Sequence, residues 1–557
     1  GVFFTDPELD DMEIQRFEED SLEDDFDNTA WTLEGRLAML DVVYTGAFTD
    51  RDSDQTVDYT DYMFVGQYFP YYTCDAAVVY PESVGSTPDT PSGSCEPPNS
   101  LVKSETGVET WTHEVRFNTP KDHRVFATTG LFYSDQEIIE RNDFFYFGSI
   151  ESLGADNQTP GFVDNFPLTN AAATPGDVGN ETQGFFSDPG PLPEGAVFRN
   201  DVKRTDEKIG LFSEVTFVAI PDRLELVAGA RYYDVEVDLE GSANSAFFNR
   251  RSAVFGPNAG LPADEVADAQ LAGTNISAQF APDNAAGAPD TASINGTIFK
   301  TTVNWTPSGG QLYYATFSQG FRPGLLNRPG GAEGPEDFTV PFELDTDTID
   351  NFELGWKLDL FDNSVRFNGN AFFAEIEDLQ TTIFDPRIVN LFFSDNAADA
   401  EVLGVEGDVT WAPASVPGLT VSGSFSFLDT EITDVLIPTG DVVEGDELAF
   451  APELQTTLKA RYEWDLDNGL RAHVMPHLSY SDESFTDIIT INRQELDSWV
   501  MLGLTAGVST SSWSAELFVD NLTDEDAELS GNFVFDRSRM TVARPLTAGI
   551  RVSYDFE

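Results

Sequence analysis

The sequence predicts an all-β chain, specifically a transmembrane antiparallel β-barrel with long extracellular loops. Three observations predict it. Apolar and polar residues alternate with period 2 over segments of about ten residues, the length of a tilted strand crossing a bilayer. The connections between these segments sort into tight turns and very long loops. No apolar run reaches roughly 18 residues, so membrane-spanning helices are ruled out.

In chain order, the first segments are 28–38, 41–52, 104–117 and 123–135. In 203–218, Ile209, Leu211, Val215 and Phe217 alternate with Gly210, Phe212, Glu214 and Thr216. In 221–237, Leu224, Leu226, Ala228, Ala230 and Tyr232 share a face. Segments 292–306 and 310–322 come next. In 347–360, Phe352, Leu354, Trp356, Leu358 and Leu360 oppose Glu353, Gly355, Lys357 and Asp359. Segments 363–376, 378–393, 400–412 and 418–431 follow, with 378–393 readable as strand or loop. In 453–464, Leu458, Ala460, Tyr462 and Trp464 oppose Thr457, Lys459, Arg461 and Glu463. Segments 469–481, 497–508 and 512–521 lead to 544–556, where Leu546, Ala548, Ile550, Val552, Tyr554 and Phe556 form one face. With 378–393 counted as loop, about 17 strands result.

The tight connections are Ile220-Pro221-Asp222, Ser308-Gly309-Gly310, Phe361-Asp362-Asn363, Asp465 to Asn468, and Ser509 to Ser512. The long ones are 53–103, 136–202 and 238–291. A compact soluble sandwich does not sort its connections this way, and structureless loops of about 20 residues count against one. In hydrocarbon every backbone N–H and C=O must be paired, which a closed antiparallel sheet achieves without an edge. The apolar face then meets lipid and the polar face lines the lumen. Trp356, Trp411, Trp464, Trp499, Trp513 and Tyr554 lie near strand ends, where interfacial aromatic girdles form. The ordinary alternative, core aromatics of a soluble β protein, leaves the sorting of the turns unexplained.

Composition agrees. The 557 residues hold 30 Lys plus Arg against 97 Asp plus Glu, a formal charge of −67, which argues against nucleic acid as a partner. Phe 45, Tyr 16 and Trp 8 are too many large apolar side chains for a chain that stays disordered. A mean hydropathy of −0.24 is no objection to a membrane location when half of each strand is polar. The acid runs Glu18 to Asp27 and Asp50 to Asp61 suit a surface in high salt, where self-repulsion is screened.

The two cysteines, Cys74 and Cys95, flank a stretch rich in Pro, Ser, Gly and Thr, and are expected to form a loop-closing disulfide in an oxidising compartment. His473 and His477 have i, i+4 spacing, but on a strand four residues span about 13 Å, too far for one zinc ion. Asp50, Asp52 and Asp54 are spaced like the start of a calcium loop, with Asp61 at its twelfth position. Gln55, however, stands where that loop needs glycine. No metal ligands and no cofactor are therefore assigned. No GxSxG, Walker or Rossmann element stands in a strand-to-helix context, and no enzyme is expected.

The C-terminal half resembles the TonB-dependent receptor family of Gram-negative outer membranes. Tyr314-Ala315-Thr316-Phe317-Ser318-Gln319-Gly320-Phe321-Arg322-Pro323-Gly324 carries the resemblance first, then Glu353-Leu354-Gly355-Trp356-Lys357. Asn370 to Phe373, Leu379-Gln380, Val402 to Glu406 and Ala451-Pro452 follow. Phe518 to Asp524 is similar to the penultimate-strand motif, and Arg544-Pro545 with Thr547 to Phe556 to the closing strand. The terminal Glu557 departs from the family's habit of ending on the aromatic. The resemblance is strong over 300–557 and weaker over 30–235.

The resemblance implies a 22-stranded barrel around a plug, of which residues 1–557 would be the barrel domain without its plug, TonB box and first strands. It implies outer-membrane location, contact with lipid and lipopolysaccharide, and a TonB complex acting through the plug. The implied task is active uptake of a large scarce nutrient, a ferric siderophore or other iron complex. Carbohydrate, cobalamin, or a passive porin-like barrel remain open, as does a soluble acidic sandwich. Ligand contact in the family lies in the loops and upper lumen. In this chain Arg322, Asn327 and Arg328 after the signature strand suit an anionic substrate group. Phe144, Phe145 and Tyr146, within the long 136–202 connection, suit an organic ligand. The charge of −67 disfavours simple anion uptake, although local arginines can override a global field.

Overall fold

The computed structural model describes residues 18–59, 100–146, 196–245, 290–324, 337–385, 392–467, 469–532 and 539–556 as continuous stretches, with a few positions between them. The principal strands are β1 (Ser21–Leu37), β2 (Leu40–Asp58), β3 (Ser100–Asn118), β4 (Val125–Tyr146), β5 (Ala196–Ile220) and β6 (Leu224–Ser245). They continue as β7 (Thr291–Ser308), β8 (Gln311–Arg322), β9 (Asp347–Leu360), β10 (Val365–Phe384), β11 (Phe392–Trp411) and β12 (Leu419–Val435). The last are β13 (Leu454–Asp465), β14 (Arg471–Ser481), β15 (Trp499–Ser509), β16 (Trp513–Asp520) and β17 (Thr547–Tyr554). One sheet holds 18 strands, and one of these is the short Ile276–Phe280 added beside β6. The remaining 17 form an antiparallel meander in which each pairs with its neighbours in the chain, and β1 and β17 are its edges.

The register sorts the side chains. One lateral row from β4 to β13 reads Val125, Phe217, Leu226, Val303, Ala315, Leu354, Ala371, Val405, Phe427 and Leu454. Every member is apolar. The next row from β6 to β14, one residue along, reads Glu225, Asn304, Tyr314, Gly355, Asn370, Glu406, Ser426, Gln455 and Ser481. Successive side chains of a strand point to opposite faces, so these rows are the two surfaces of one wall. The C-terminal strands repeat the division: Leu419, Tyr462, Val474, Ala506, Leu517 and Ile550 lie on one face, with Glu463, His473, Gly507, Glu516 and Arg551 on the other.

Apolar residues of the first face stand uncovered. Leu354 is 62% exposed and Ile550 72%. In water each such side chain would forgo about 1.5–3 kcal/mol of burial, so a continuous apolar belt of this kind is a lipid-facing surface. Tyrosine and tryptophan finish the belt beside the tight turns: Trp305 with Tyr313 (5.5 Å between ring centroids), Tyr462 with Trp464 (5.5 Å), and Trp411, Trp513 and Tyr554. The polar face bonds to itself. Tyr314 OH donates to Glu353, Asn370 Nδ2 donates to Glu353 Oε1 (2.8 Å), and Ser424 and Thr457 share a bond of 2.8 Å.

Rings also lie across glycines of the neighbouring strand. Tyr314 covers Gly355 and Phe372 covers Gly404, each occupying the space a Cβ would need. His473 and His477, both on β14, use Gly507 and Gly503 in the same way. They reach Glu516 (3.2 Å) and Asp520 (3.6 Å) on β16.

Several strands run beyond their sequence-predicted ends. The segment 123–135 is the lower part of β4, which continues to Tyr146, and β5 begins at Ala196 rather than 203. The segment 378–393 is no strand of its own: it spans the end of β10 and the start of β11. Above the lipid belt the alternation inverts. On β6, Leu226 and Tyr232 face outward with the even positions, but Val235, Val237 and Leu239 are buried on the odd face (4, 4 and 7% exposed) while Asp234, Glu236, Asp238 and Glu240 take the outer one. Asp50, Asp52 and Asp54 also sit on a strand, not in a loop, on the outer face of β2 with each about 6.6 Å from the next. Asp61 lies outside the described residues. Among the described residues no group of three or more His, Cys, Asp or Glu is placed to hold a metal ion.

Candidate functional site

All tight turns fall at one end of the meander and all long connections at the other, so the loop end is a mouth. Its frame on the C-terminal side is built by Arg322 and Asn327. Arg322 is the last residue of β8. Its Nε donates to Asp347 Oδ2 (2.8 Å) and its terminal nitrogen to the carbonyl of Gln380 (2.7 Å). Gln380 Nε2 in turn donates to the carbonyls of Arg322 (3.3 Å), Pro323 (3.2 Å) and Asp345 (3.0 Å). Half the Arg322 side chain remains exposed (54%). Asn327 is buried, with Nδ2 donating to the carbonyl of Pro341 (3.0 Å) and Oδ1 accepting from the Ser394 amide (3.0 Å). It fastens the β8–β9 connection to β11. Arg328 lies outside the described residues.

Above this frame, Val340, Ile383, Phe393, Ile432, Ile437 and Ile489 make a buried apolar cluster from the tops of β10 to β12 and three connections. It is a small cap, which sequence periodicity missed because half of these residues stand on three different strands and half on irregular connections. Arg493 stacks 3.6 Å above Phe485 and donates to the carbonyls of Glu447 (3.0 Å) and Asp487 (3.2 Å), tying two cap loops together. Val443 and Ile491 are exposed on it.

On the N-terminal side the aromatic run sits at the end of β4, not within a loop as the sequence suggested. Phe144 faces the same side as Phe198, its cross-strand partner (5.1 Å, edge to face), and Tyr59 (5.2 Å). Phe145 points the other way, buried, with Lys103 5.7 Å over its ring. Tyr146 pairs with Ser100. The backbone sets Cys74 opposite Cys95 in a two-residue antiparallel ladder, and their side chains are outside the described residues.

Charge is distributed unevenly. Asp27, Asp50 and Glu109 stand directly opposite one another on the outer face. Inside, some acids are paired with bases, Arg366 with Asp359 (2.9 Å), Arg461 with Glu463 (2.7 Å), Arg551 with Glu516 (3.5 Å) and Lys300 with Glu214 (3.6 Å), while Glu353 is held by the neutral Tyr314 and Asn370.

Carboxylates gather behind the cap. Burial, with Asp345 nearby, pushes Asp395 up to about 6, and burial beside Asp399, Asp345 and Asp347 raises Asp378. A carboxyl raised on folding contributes fully below its unfolded value of 3.8, and that contribution is lost as pH rises through about 6. Asp395→Asn is expected to stabilise the cap by about 1–2 kcal/mol at pH 8 and to leave it unchanged at pH 4. Hydrogen exchange at the Ser394 amide measures it.

The family model described as TonB dependent receptor-like, beta-barrel matches residues 38–522. The chain belongs to the TonB-dependent receptor β-barrel family. This receptor barrel is an outer-membrane protein. It is similar in fold to the ferric yersiniabactin uptake receptor FyuA of Yersinia pestis, with 14% identity and a TM-score of 0.63 over 96% of this chain and 62% of that one. The copper transporter OprC gives 11% identity and 0.59 over 96% and 66%. The siderophore receptor PiuA of Acinetobacter baumannii gives 14% and 0.58 over 96% and 65%. The receptor barrel thus spans less than two thirds of the length of the structures it matches. No curated protein sequence matches it. Both the family and these neighbours are transport receptors rather than enzymes.

Proposed function

We propose that this barrel serves TonB-energised uptake of a large, scarce nutrient across the outer membrane, and that the cargo is a ferric siderophore or another iron complex. The observation that carries the reading is the likeness, over 96% of the chain, to structures named as receptors for iron chelates. A polar lumen supports it, with Arg366, Arg461, Arg551 and Lys300 offsetting part of its acid excess. Energy would come from a TonB complex acting through a plug, and the outward face would meet lipid and lipopolysaccharide. Arg322 and the Phe144 to Tyr146 run are the proposed ligand contacts, on opposite sides of the mouth, with Asn327 holding the frame. The Cys74–Cys95 ladder is the proposed site of a loop-closing disulfide.

The test is growth of a deletion strain on single iron sources. Loss of growth on one ferric chelate, restored by the parent gene and abolished by TonB depletion, is the expected result. Normal growth on every iron complex with a defect on an oligosaccharide or cobalamin would overturn the cargo. Uptake indifferent to TonB would make the barrel a passive pore.

A further inference from the structure

The wall has a seam. β7 pairs with β6 over its upper part, from Thr291 opposite Asp238 down to Trp305 opposite Leu224, but with β8 only from Lys300 opposite Ser318 downward. Gln319 to Arg322 of β8 pair with β9 alone. Among the described residues, then, the upper part of β7 and the top of β8 share no ladder. The parting begins beside outward Phe299 and just above outward Phe317, with Thr297 and Gln319 the next outward residues, at the upper limit of the apolar belt. Within hydrocarbon an unpaired ladder is prohibitive, whereas above it water satisfies the free groups.

Among the described residues, contacts that involve side chains bridge the gap. The Phe299 amide donates to Gln319 Oε1 (3.3 Å), while Gln319 Nε2 donates to Asp350 (2.9 Å). Tyr233 of β6 stacks on Phe321 of β8, with centroids 3.5 Å apart and planes at 12°. Leu326 packs on Val202 and Leu239. A cavity of about 200 Å³ opens between the strands, lined by Thr297, Gln319, Gly320 and Thr348. The two sides differ in what holds them: Ile294 and Ile298 of β7 pack on Tyr233, Val235 and Val237 of β6, a small core that Phe321 of β8 also reaches, and β8 is fastened to β9 and β10 through Arg322, Asp347 and Gln380.

We propose that the wall parts along this seam, the top of β8 and its clamp swinging away from β6 and β7 to widen the mouth, with the Tyr233–Phe321 stack as the latch. The inference is independent of what the barrel carries. Removing one aromatic pair shifts such an equilibrium by about fivefold. Nitroxide labels at Asn295 and Thr348, both exposed on the outer face, read the gap as a distance distribution in the full chain held in lipid. Tyr233→Ala is expected to enlarge a longer-distance population about fivefold, and Phe321→Ala to do the same. Tyr233→Phe, which keeps the stack, is expected to leave it unchanged. Labels at Thr301 and Phe317, which pair below the seam, should stay at one distance throughout. A single distance at Asn295–Thr348 that neither alanine variant alters would overturn the proposal.

Discussion

Leu354→Arg is expected to cost about 2–4 kcal/mol of barrel stability, because it sets a charge on the lipid face at the level of the apolar belt. Leu354 is 62% exposed, and its lateral neighbours are Ala315 and Ala371, so no protein group is at hand to pair with an arginine. Ser426→Arg is the matched control. Ser426 lies in the adjacent, inward row beside Glu406 and Gln455, and the new charge is expected to change stability by no more than about 0.5 kcal/mol. Denaturant unfolding in lipid vesicles measures both. A soluble reading of the same strands inverts the expectation: an exposed Leu354 would accept arginine without loss.

Gly355→Val is expected to cost about 2–4 kcal/mol for a different reason. A Cβ at Gly355 would collide with the Tyr314 ring, which lies across that strand. Moving the ring also breaks the bond from Tyr314 to Glu353 and disturbs the one from Asn370. Gly35→Ala, where a Cβ meets nothing within 4 Å, should be nearly silent. In a double-mutant cycle, Tyr314→Ala is expected to relieve part of the Gly355→Val penalty, since the space is then free. Strict additivity would show that the ring does not hold that place.

The membrane part of this fold was readable because lipid imposes one rule along the whole belt. Segments such as 347–360 and 544–556 show the apolar face without interruption, and their strands follow it. Above the belt the rule changes sign. On β6 the sequence Asp234-Val235-Glu236-Val237-Asp238-Leu239-Glu240 still alternates, but the apolar residues turn inward and acids face water. A reading that follows outward apolar residues stops there, which is why β4, β5 and β6 looked shorter and their loops longer. The inversion is itself a sequence signal, and it marks the membrane boundary near Tyr232. The mouth was less legible. Arg322 was noticed as a scarce base, but its partner Asp347 lies 25 residues away. The cap joins Ile383 and Ile432 from strand tops to Val340 and Ile489 from connections with no period at all.

A nitroxide scan of positions 351 to 358 on β9, made in native outer membranes, tests most directly whether the two faces meet lipid and a wet interior. Collision with oxygen, which concentrates in lipid, should peak at Phe352, Leu354 and Trp356. Collision with a water-soluble nickel chelate should peak at Glu353, Gly355 and Lys357. Accessibility without a period of two, or equal nickel access on both faces, would contradict the barrel wall described above.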